Sequence, residues 1–378
     1  MTDIVHLSPA MFGSTGVWGG GERYALELAR AQSERADVRL VTFGERARRY
    51  RLGRLRIHVL PKRLEWRGNF LNPLSELLLP ELIDASVVHI HQLATALTDV
   101  ACLLCKALGR RVFVTDLGGA APNFGHRLDR EQIIERHLAL SSFSAALAPA
   151  LLDRTRVIGG GVDPMRYFPE QLPREQVVVF VGRLMPHKGV DVLIRALPDE
   201  VGLELYGRPY DVRYFEDLRR LADGKRVRFV TDASDEQILR AYRRARVVVL
   251  PSVLVDVYGD HHPKMDLFGL TLVEAMACGT PVVCSDVGGM PEVVADGVTG
   301  FTFPPGDVAA LNGYLRQLER GGPAWELMSA AAVARVQTSF TWSHVADRCL
   351  AAYAAEPAAR PRRRFTRGEL SRLLRARS

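Results

Sequence analysis

The sequence predicts two successive α/β domains, each a mostly parallel sheet covered by helices on both faces. Three observations carry that expectation. The chain has 378 residues, too many for one ordinary core. Short β-branched runs alternate with helical patterns, as in parallel sheets buried on both sides. The alternation then breaks at a turn-rich segment, GGGVDPMRYFPEQLP (159–173), and starts again.

In order, DIVHLSP (3–9) reads as the first strand, followed by a glycine turn and the helical stretch ERYALELARAQ. VRLVTF (38–43), RIHVL (56–60), VVHIH (87–91) and RVFVTD (111–116) continue the first unit. The second opens at VVVFVG and continues through LELYG (203–207), VRFV (227–230), RVVVLPS (246–252) and PVVCS (281–285). The expected boundaries are residues 1–165 for the first domain and 174–338 for the second. Residues 339–356 form a last helix, and 360–378 a basic tail.

Hydrophobic residues make up 47% and charged residues 25%, the composition of an ordinary soluble domain. No apolar run approaches the ~20 residues of a membrane helix. The start, MTDIVHLSPA, lacks the basic and apolar regions of a signal peptide, and a cytoplasmic protein is expected. The five cysteines make no disulfide framework. Cys102 and Cys105 share one helix face in DVACLLCKAL, where packing is the expected role.

The net charge of +7 lies entirely in residues 360–378, which hold eight Arg and one Glu; the remainder has 42 basic and 42 acidic groups. This argues against a broadly basic nucleic-acid surface. Within the tail, Thr366 and Glu369 fit a capping box, and Leu370, Leu373 and Leu374 share a face. Two readings stay open: a solvated end, and a short basic helix on an anionic membrane.

Ligands of doubly wound sheets bind beyond the carboxyl ends of strands, and each chemistry-bearing segment follows an apolar run. Gly182-Arg183 and Lys188-Gly189 lie between a strand and the helical VDVLIRAL. Glycines permit close backbone approach, a helix start offers free N–H groups, and the cations suit a diphosphate. From the residues alone, two solvated cations in a loop remain an alternative. In DLFGLTLVE (266–274), Asp266 and Glu274 are separated by seven residues. Gly269, Leu270 and Thr271 open the helix between them, where amides suit a phosphate.

These segments resemble the nucleotide-sugar half of retaining glycosyltransferases with the GT-B fold, family 4 in particular. The resemblance runs from about residue 3 to 355. It is specific in 177–195 and 266–295 and looser in the first domain. It implies two Rossmann-like domains facing a cleft, with the helix TWSHVADRCLAAY (341–353) crossing back to the first. It also implies that Arg183, Lys188 and the helix amides hold the donor diphosphate and that Glu274 clamps the ribose. Asp266 stands where the family has Glu, facing the transferred sugar. Gly20 and Gly21 belong to a glycine loop that closes over the diphosphate from the opposite domain. His91 and Asp116, ending two first-domain strands, are candidates to orient acceptor or sugar. A satisfied core histidine is the alternative for His91.

Two departures bear on the sugar. The usual Glu-Gly-Phe-Gly is here Asp266-Leu267-Phe268-Gly269, and 253–265 is longer than the usual connection. The polar residues of that loop (Asp256, Tyr258, Asp260, His261 and His262) are expected to select sugar or acceptor. The adjacent His261 and His262 are not expected to bind a metal. The resemblance implies retention without a protein nucleophile, metal or resident cofactor. The nucleoside diphosphate sugar is the donor, and the acceptor is a small molecule, a natural product, or a glycan or lipid precursor. An epimerase-hydrolase of the same fold and a non-catalytic nucleotide-sugar-binding subunit are the alternatives.

Overall fold

A computed structural model describes residues 3–11, 20–119, 121–125, 129–263 and 266–356. Its strands are β1 (Asp3–Met11), β2 (Asp37–Gly44), β3 (Arg48–Leu52), β4 (Leu55–Pro61), β5 (Leu64–Glu65), β6 (Pro73–Leu74), β7 (Val87–His91), β8 (Arg111–Thr115), β9 (Ile134–Ala139) and β10 (Thr155–Val157) in the first half. The second half holds β11 (Glu175–Val181), β12 (Gly202–Tyr206), β13 (Val227–Val230), β14 (Ala245–Leu250), β15 (Val282–Ser285) and β16 (Gly300–Phe303).

The first sheet runs β10-β9-β8-β7-β1-β2-β4-β3 and the second β13-β12-β11-β14-β15-β16. Every pairing in them is parallel except β3 with β4. In the first sheet the chain steps outward from β1 through β2, then returns to β7 and steps the other way. The second sheet does the same from β11 and β14. Each domain therefore has one point where strand order reverses, between β1 and β7 and between β11 and β14. The loops leaving two such strands diverge to opposite faces and open a crevice.

Helices fill both faces. In the first domain α1 (Gly20–Ser33) covers one face, while α2 (Leu78–Ile83) and α3 (Ala96–Leu108) cover the other. The two-residue period of β1 divides its side chains accordingly. Ile4 packs with Tyr24 and Leu28 of α1, and Val5 and Leu7 pack with Leu78, Leu82 and Leu97. Cys102 and Cys105 lie fully buried in that second layer as free thiols, in keeping with packing. Outer strand β3 presents an Arg-rich, exposed edge, RRYRL, and charge on an edge strand discourages pairing with another chain.

α4 (Ser142–Ala146) packs beside β9 and β10 at the edge of the first domain, and the second domain adds α5 (Val190–Ala196), α6 (Val212–Leu221), α7 (Asp235–Arg244), α8 (Leu270–Ala277), α9 (Met290–Val293), α10 (Val308–Glu319) and α11 (Pro323–Ser339). The last helix, α12 (Trp342–Ala354), packs on the first domain. Trp342 meets Tyr24 edge-on with ring centroids 5.1 Å apart, and Arg111 donates to the Tyr353 carbonyl at 2.7 Å. Among the described residues, no helix is long and apolar enough to cross a membrane. The basic tail, residues 12–19 (Gly19 among them), and Lys264 and Met265 lie outside the described residues.

Candidate functional site

The crevice between β11 and β14 collects most of the residues singled out above. After β11 the chain makes a single 3-10 turn, Pro186–Lys188, and enters α5 through Gly189. Gly189 has φ +62°, and a Cβ there would lie 2.1 Å from the Pro251 carbonyl oxygen. Only glycine allows the β11 loop to press against the end of β14. That contact brings Lys188 to Asp266, 78 positions away, as a direct ion pair. The second Asp266 oxygen accepts from the Ser252 hydroxyl at 2.6 Å. Burial by itself would raise the Asp266 carboxyl. The Lys188 ammonium and the Ser252 hydrogen bond outweigh it and hold the group below the usual carboxylate range. His187, pushed down to about 4 by burial and then by Lys188, is neutral at physiological pH.

Asp266 leads into α8 through Gly269, whose φ is +94°. Leu270 and Thr271 form the first turn, where amides lack intrahelical acceptors. The Thr271 hydroxyl is 3.5 Å from the Val181 carbonyl, placing the helix start at the end of β11 beside Gly182. Arg183 is exposed, with its guanidinium 5.8 Å from the Tyr210 ring centroid. Lys188, Asp266, Gly182, Gly269, Leu270 and Thr271 thus converge on one crevice, with Arg183 at its rim.

Glu274 lies one helical turn further in. Its Oε2 accepts from Tyr242 at 2.9 Å, and its Oε1 from Tyr167 at 3.3 Å and Arg23 at 3.4 Å. Burial raises its pKa despite these donors. Sequence reasoning missed Arg23, Tyr167, Tyr242 and Ser252. Ser252 directly ends an apolar run and Arg23 follows the glycine loop, so both carried a positional signal. Tyr167 sits in the turn-rich segment read as the break between the two domains.

From the first domain, Gly20 and Gly21 begin α1, and a Cβ on Gly21 would touch Leu117 at 3.6 Å. Asp116 accepts from the Gly118 amide at 3.3 Å at the end of β8. Gly118, with φ +85°, faces Leu267: a Cβ there would lie 3.3 Å from the leucine. A leucine in the usual glycine position is accommodated because the opposing loop has a glycine. The turn is also pinned by Ser141, which donates to the Leu267 carbonyl at 2.6 Å. Gln92, which follows β7, has φ +123°, a strained conformation for a residue with a side chain that recurs at functional sites. Its Oε1 accepts from the Gly119 amide at 3.1 Å.

His91 does not open onto the cleft. It is fully buried, as are His6 and His89. The register that pairs His6 with His89 sets all three rings on the α1 and α12 face. Gln32 Oε1 can only accept, so the His6 Nε2–H donates to it at 2.9 Å. His6 Nδ1 then accepts from His91 Nε2–H at 2.8 Å. His89 bonds Thr115 at 2.8 Å and Tyr353 at 2.7 Å. The three rings lie close enough to share an ion, but five of their six nitrogens are already bonded, leaving only His91 Nδ1 without a partner. This donor set serves the core as it stands.

The 253–265 loop departs from expectation as well. Among its described residues, the Asp256 carboxylate accepts from the Tyr258 amide (2.9 Å), the Asp260 amide (3.1 Å) and His262 (2.8 Å). The Tyr258 hydroxyl donates to Asp217 of α6 at 2.5 Å. Asp256, Tyr258 and His262 therefore fold the loop into a hairpin, and Asp260 and His261 remain exposed.

Comparison with known proteins agrees with this arrangement. Residues 167–334 match the family Glycosyl transferases group 1, and residues 18–166 match Glycosyltransferase Family 4. A D-inositol 3-phosphate glycosyltransferase of Mycobacterium marinum is 36% identical over 48% of this chain and 38% of its own length. One of Mycolicibacterium smegmatis is 34% identical over 60% of this chain and 48% of its own. The chain thus spans less than half the length of these relatives. Among solved structures, the Anabaena protein HepE in complex with UDP and glucose has a TM-score of 0.70 at 20% identity, covering 93% of this chain and 99% of its own. A sucrose-phosphate synthase from Thermosynechococcus elongatus has a TM-score of 0.67 at 22% identity over the full length of both. The fold is GT-B, and the chain belongs to the group 1, family 4 glycosyltransferases.

Proposed function

We propose that this protein transfers a sugar from a nucleoside diphosphate sugar to an acceptor hydroxyl, retaining the anomeric configuration. The observation that carries this reading is the Lys188–Asp266 pair, set beside the first turn of α8 where the strand order of the second sheet reverses. A cation and helix amides meet a diphosphate there, and a carboxylate stands beside them for sugar hydroxyls. UDP is the expected nucleotide, since HepE was solved with UDP and with UDP-glucose.

The bond from the anomeric carbon to the distal phosphate oxygen breaks, and the charge growing on that oxygen meets Lys188, Arg183 and the α8 amides. Fixed donors aimed at developing charge are a large catalytic term. The acceptor oxygen bonds to the same face of the anomeric carbon. Its proton passes to the departing phosphate oxygen, giving a glycoside and a nucleoside diphosphate. Glu274 accepts the ribose hydroxyls, and bonds to a charged acceptor are each worth ~1.5–3 kcal/mol. Asp116 and the strained Gln92 turn face the acceptor side.

The test is calorimetric titration with UDP, GDP and ADP, followed by incubation of the matching nucleotide sugars with a panel of alcohols. The product anomer is assigned by proton NMR. An α donor should give an α glycoside. An inverted product would overturn retention. Release of free or epimerised sugar, independent of any alcohol, would favour an epimerase-hydrolase.

A further inference from the structure

Arg23 belongs to the first domain, yet its charge is spent on the second. It lies in the first turn of α1, three residues after Gly20. Both terminal nitrogens reach across the cleft. Nη2 grips both carboxylate oxygens of Asp235 on α7, at 2.7 and 2.8 Å. Nη1 points at Tyr167 (3.2 Å) and Glu274 Oε1 (3.4 Å). Arg166 adds a second cation to Asp235 at 3.2 Å. The grip on Asp235 is short and two-pronged, whereas the contacts at Glu274 Oε1 are long. Nη2, shared at short range between both carboxylate oxygens, holds the guanidinium in place by charge-assisted contacts, and the long contacts leave Oε1 directions that hydroxyls can take over.

We propose that Arg23 is a positioning residue for donor binding: anchored on Asp235, it supplies the countercharge that keeps Glu274 an ionised, aimed acceptor for the ribose. This inference rests on the reading of Glu274 as the ribose clamp. It makes nucleotide recognition depend on contact between the domains, because the countercharge leaves Glu274 whenever α1 moves away. The attraction is Coulombic, so it persists when ribose hydroxyls displace the long Nη1 contact.

The groups facing Glu274 are Arg23 from α1, Tyr167 from the interdomain segment, Asp235 and Tyr242 from α7, and Cys278 just beyond α8, with Arg166 paired to Asp235. Among them, Arg23 is the cation in direct contact. Burial and Asp235 push the Glu274 carboxyl toward the protonated form; Arg23 and the two tyrosine hydroxyls oppose them. Removing Arg23 should therefore raise the pH at which the clamp loses its charge.

The test measures Kd for UDP, GDP and ADP between pH 5 and 8 for wild type, Arg23→Gln, Arg23→Lys, Glu274→Gln and the double variant Arg23→Gln/Glu274→Gln. Thermal melts check folding in parallel. At pH 7, Arg23→Gln should weaken the tightest-binding nucleotide ~10-fold, the loss of one charge-assisted contact. The acid limb of its affinity profile should move to higher pH. Arg23→Lys keeps the charge without the planar guanidinium, so its acid limb should stay near that of wild type. In the Glu274→Gln background, Arg23→Gln should cost little more. If Glu274→Gln binds every nucleotide as wild type does, the ribose reading itself falls. If Glu274→Gln weakens binding but Arg23→Gln changes neither affinity nor pH profile, the clamp stands and the role of Arg23 is refuted. Full additivity in the double variant also refutes it.

Discussion

Each domain buries a polar cluster where its strand order reverses. In the first, His6, His89 and His91 lie on β1 and β7, with Gln32, Thr115 and Tyr353 around them. In the second, Lys188, Ser252 and Asp266 follow β11 and β14. The histidine side chains sit within the strands, sealed beneath α1 and α12. The charged side chains sit in loops past the strand ends and keep 12% and 17% exposure for Lys188 and Asp266. Proximity to the reversal point is thus not enough to make a site. A residue inside the strand is absorbed by the core, and a residue past its end is available to a ligand.

The sharpest break of this comparison is Lys188→Ala. Losing one preorganised contact to the leaving group should lower turnover ~10²–10³-fold, measured as kcat with saturating donor, with a much smaller change in Tm. Comparable His91→Leu turnover per folded molecule should be close to wild type. If Lys188→Ala turns over normally, or His91→Leu loses as much as Lys188→Ala, the division between open and sealed clusters is wrong.

The second test is acid. Burial lowers the pKa of all three histidines, to about 4 for His6. Their folded pKa values lie below the unfolded value of 6.5, so the unfolded chain takes up protons first. The stability they contribute should be fully present above pH 6.5 and decline as pH falls below it, the His6 share being lost down to about 4. The limiting slope is ~1.4 kcal/mol per pH unit for each such group. Urea unfolding at pH 7, 6 and 5 measures it. His91→Leu should flatten part of the slope; an unchanged slope would mean that the ring already titrates freely in the folded protein.

The smallest expected effect sharpens the interdomain contact. Gly118→Ala places a side chain at φ +85° against Leu267 and should cost ~1 kcal/mol, seen as a lower Tm. Gly118→Ala in a Leu267→Gly background should be milder, since the opposing leucine is gone. Equal costs in both backgrounds would leave backbone strain as the whole effect.

The donor half was legible because its chemistry is local. Gly182, Arg183, Lys188 and Gly189 fall in one strand–loop–helix, and Asp266, Gly269 and Glu274 in one turn and helix. The acceptor half was less so. The shared parity of His89 and His91 is visible in VVHIH, but the ring of His6 joins them only through the β1–β7 register. The hydrogen-bonding residues of 253–265 looked free for a sugar; folding of the loop spends Asp256, Tyr258 and His262 on one another and on α6.

By itself, the sequence determined where strands end, where glycines permit a tight turn, and which charges stand just beyond. These follow from backbone period and residue type over a few positions. Only the tertiary structure decided that Arg23 meets Glu274 across 251 positions, that Gly118 receives Leu267, and that His91 lies sealed in the core. Those pairings depend on which strands are neighbours and how the two domains meet. They are set by the summed packing of many distant residues, and no short stretch of sequence encodes that sum.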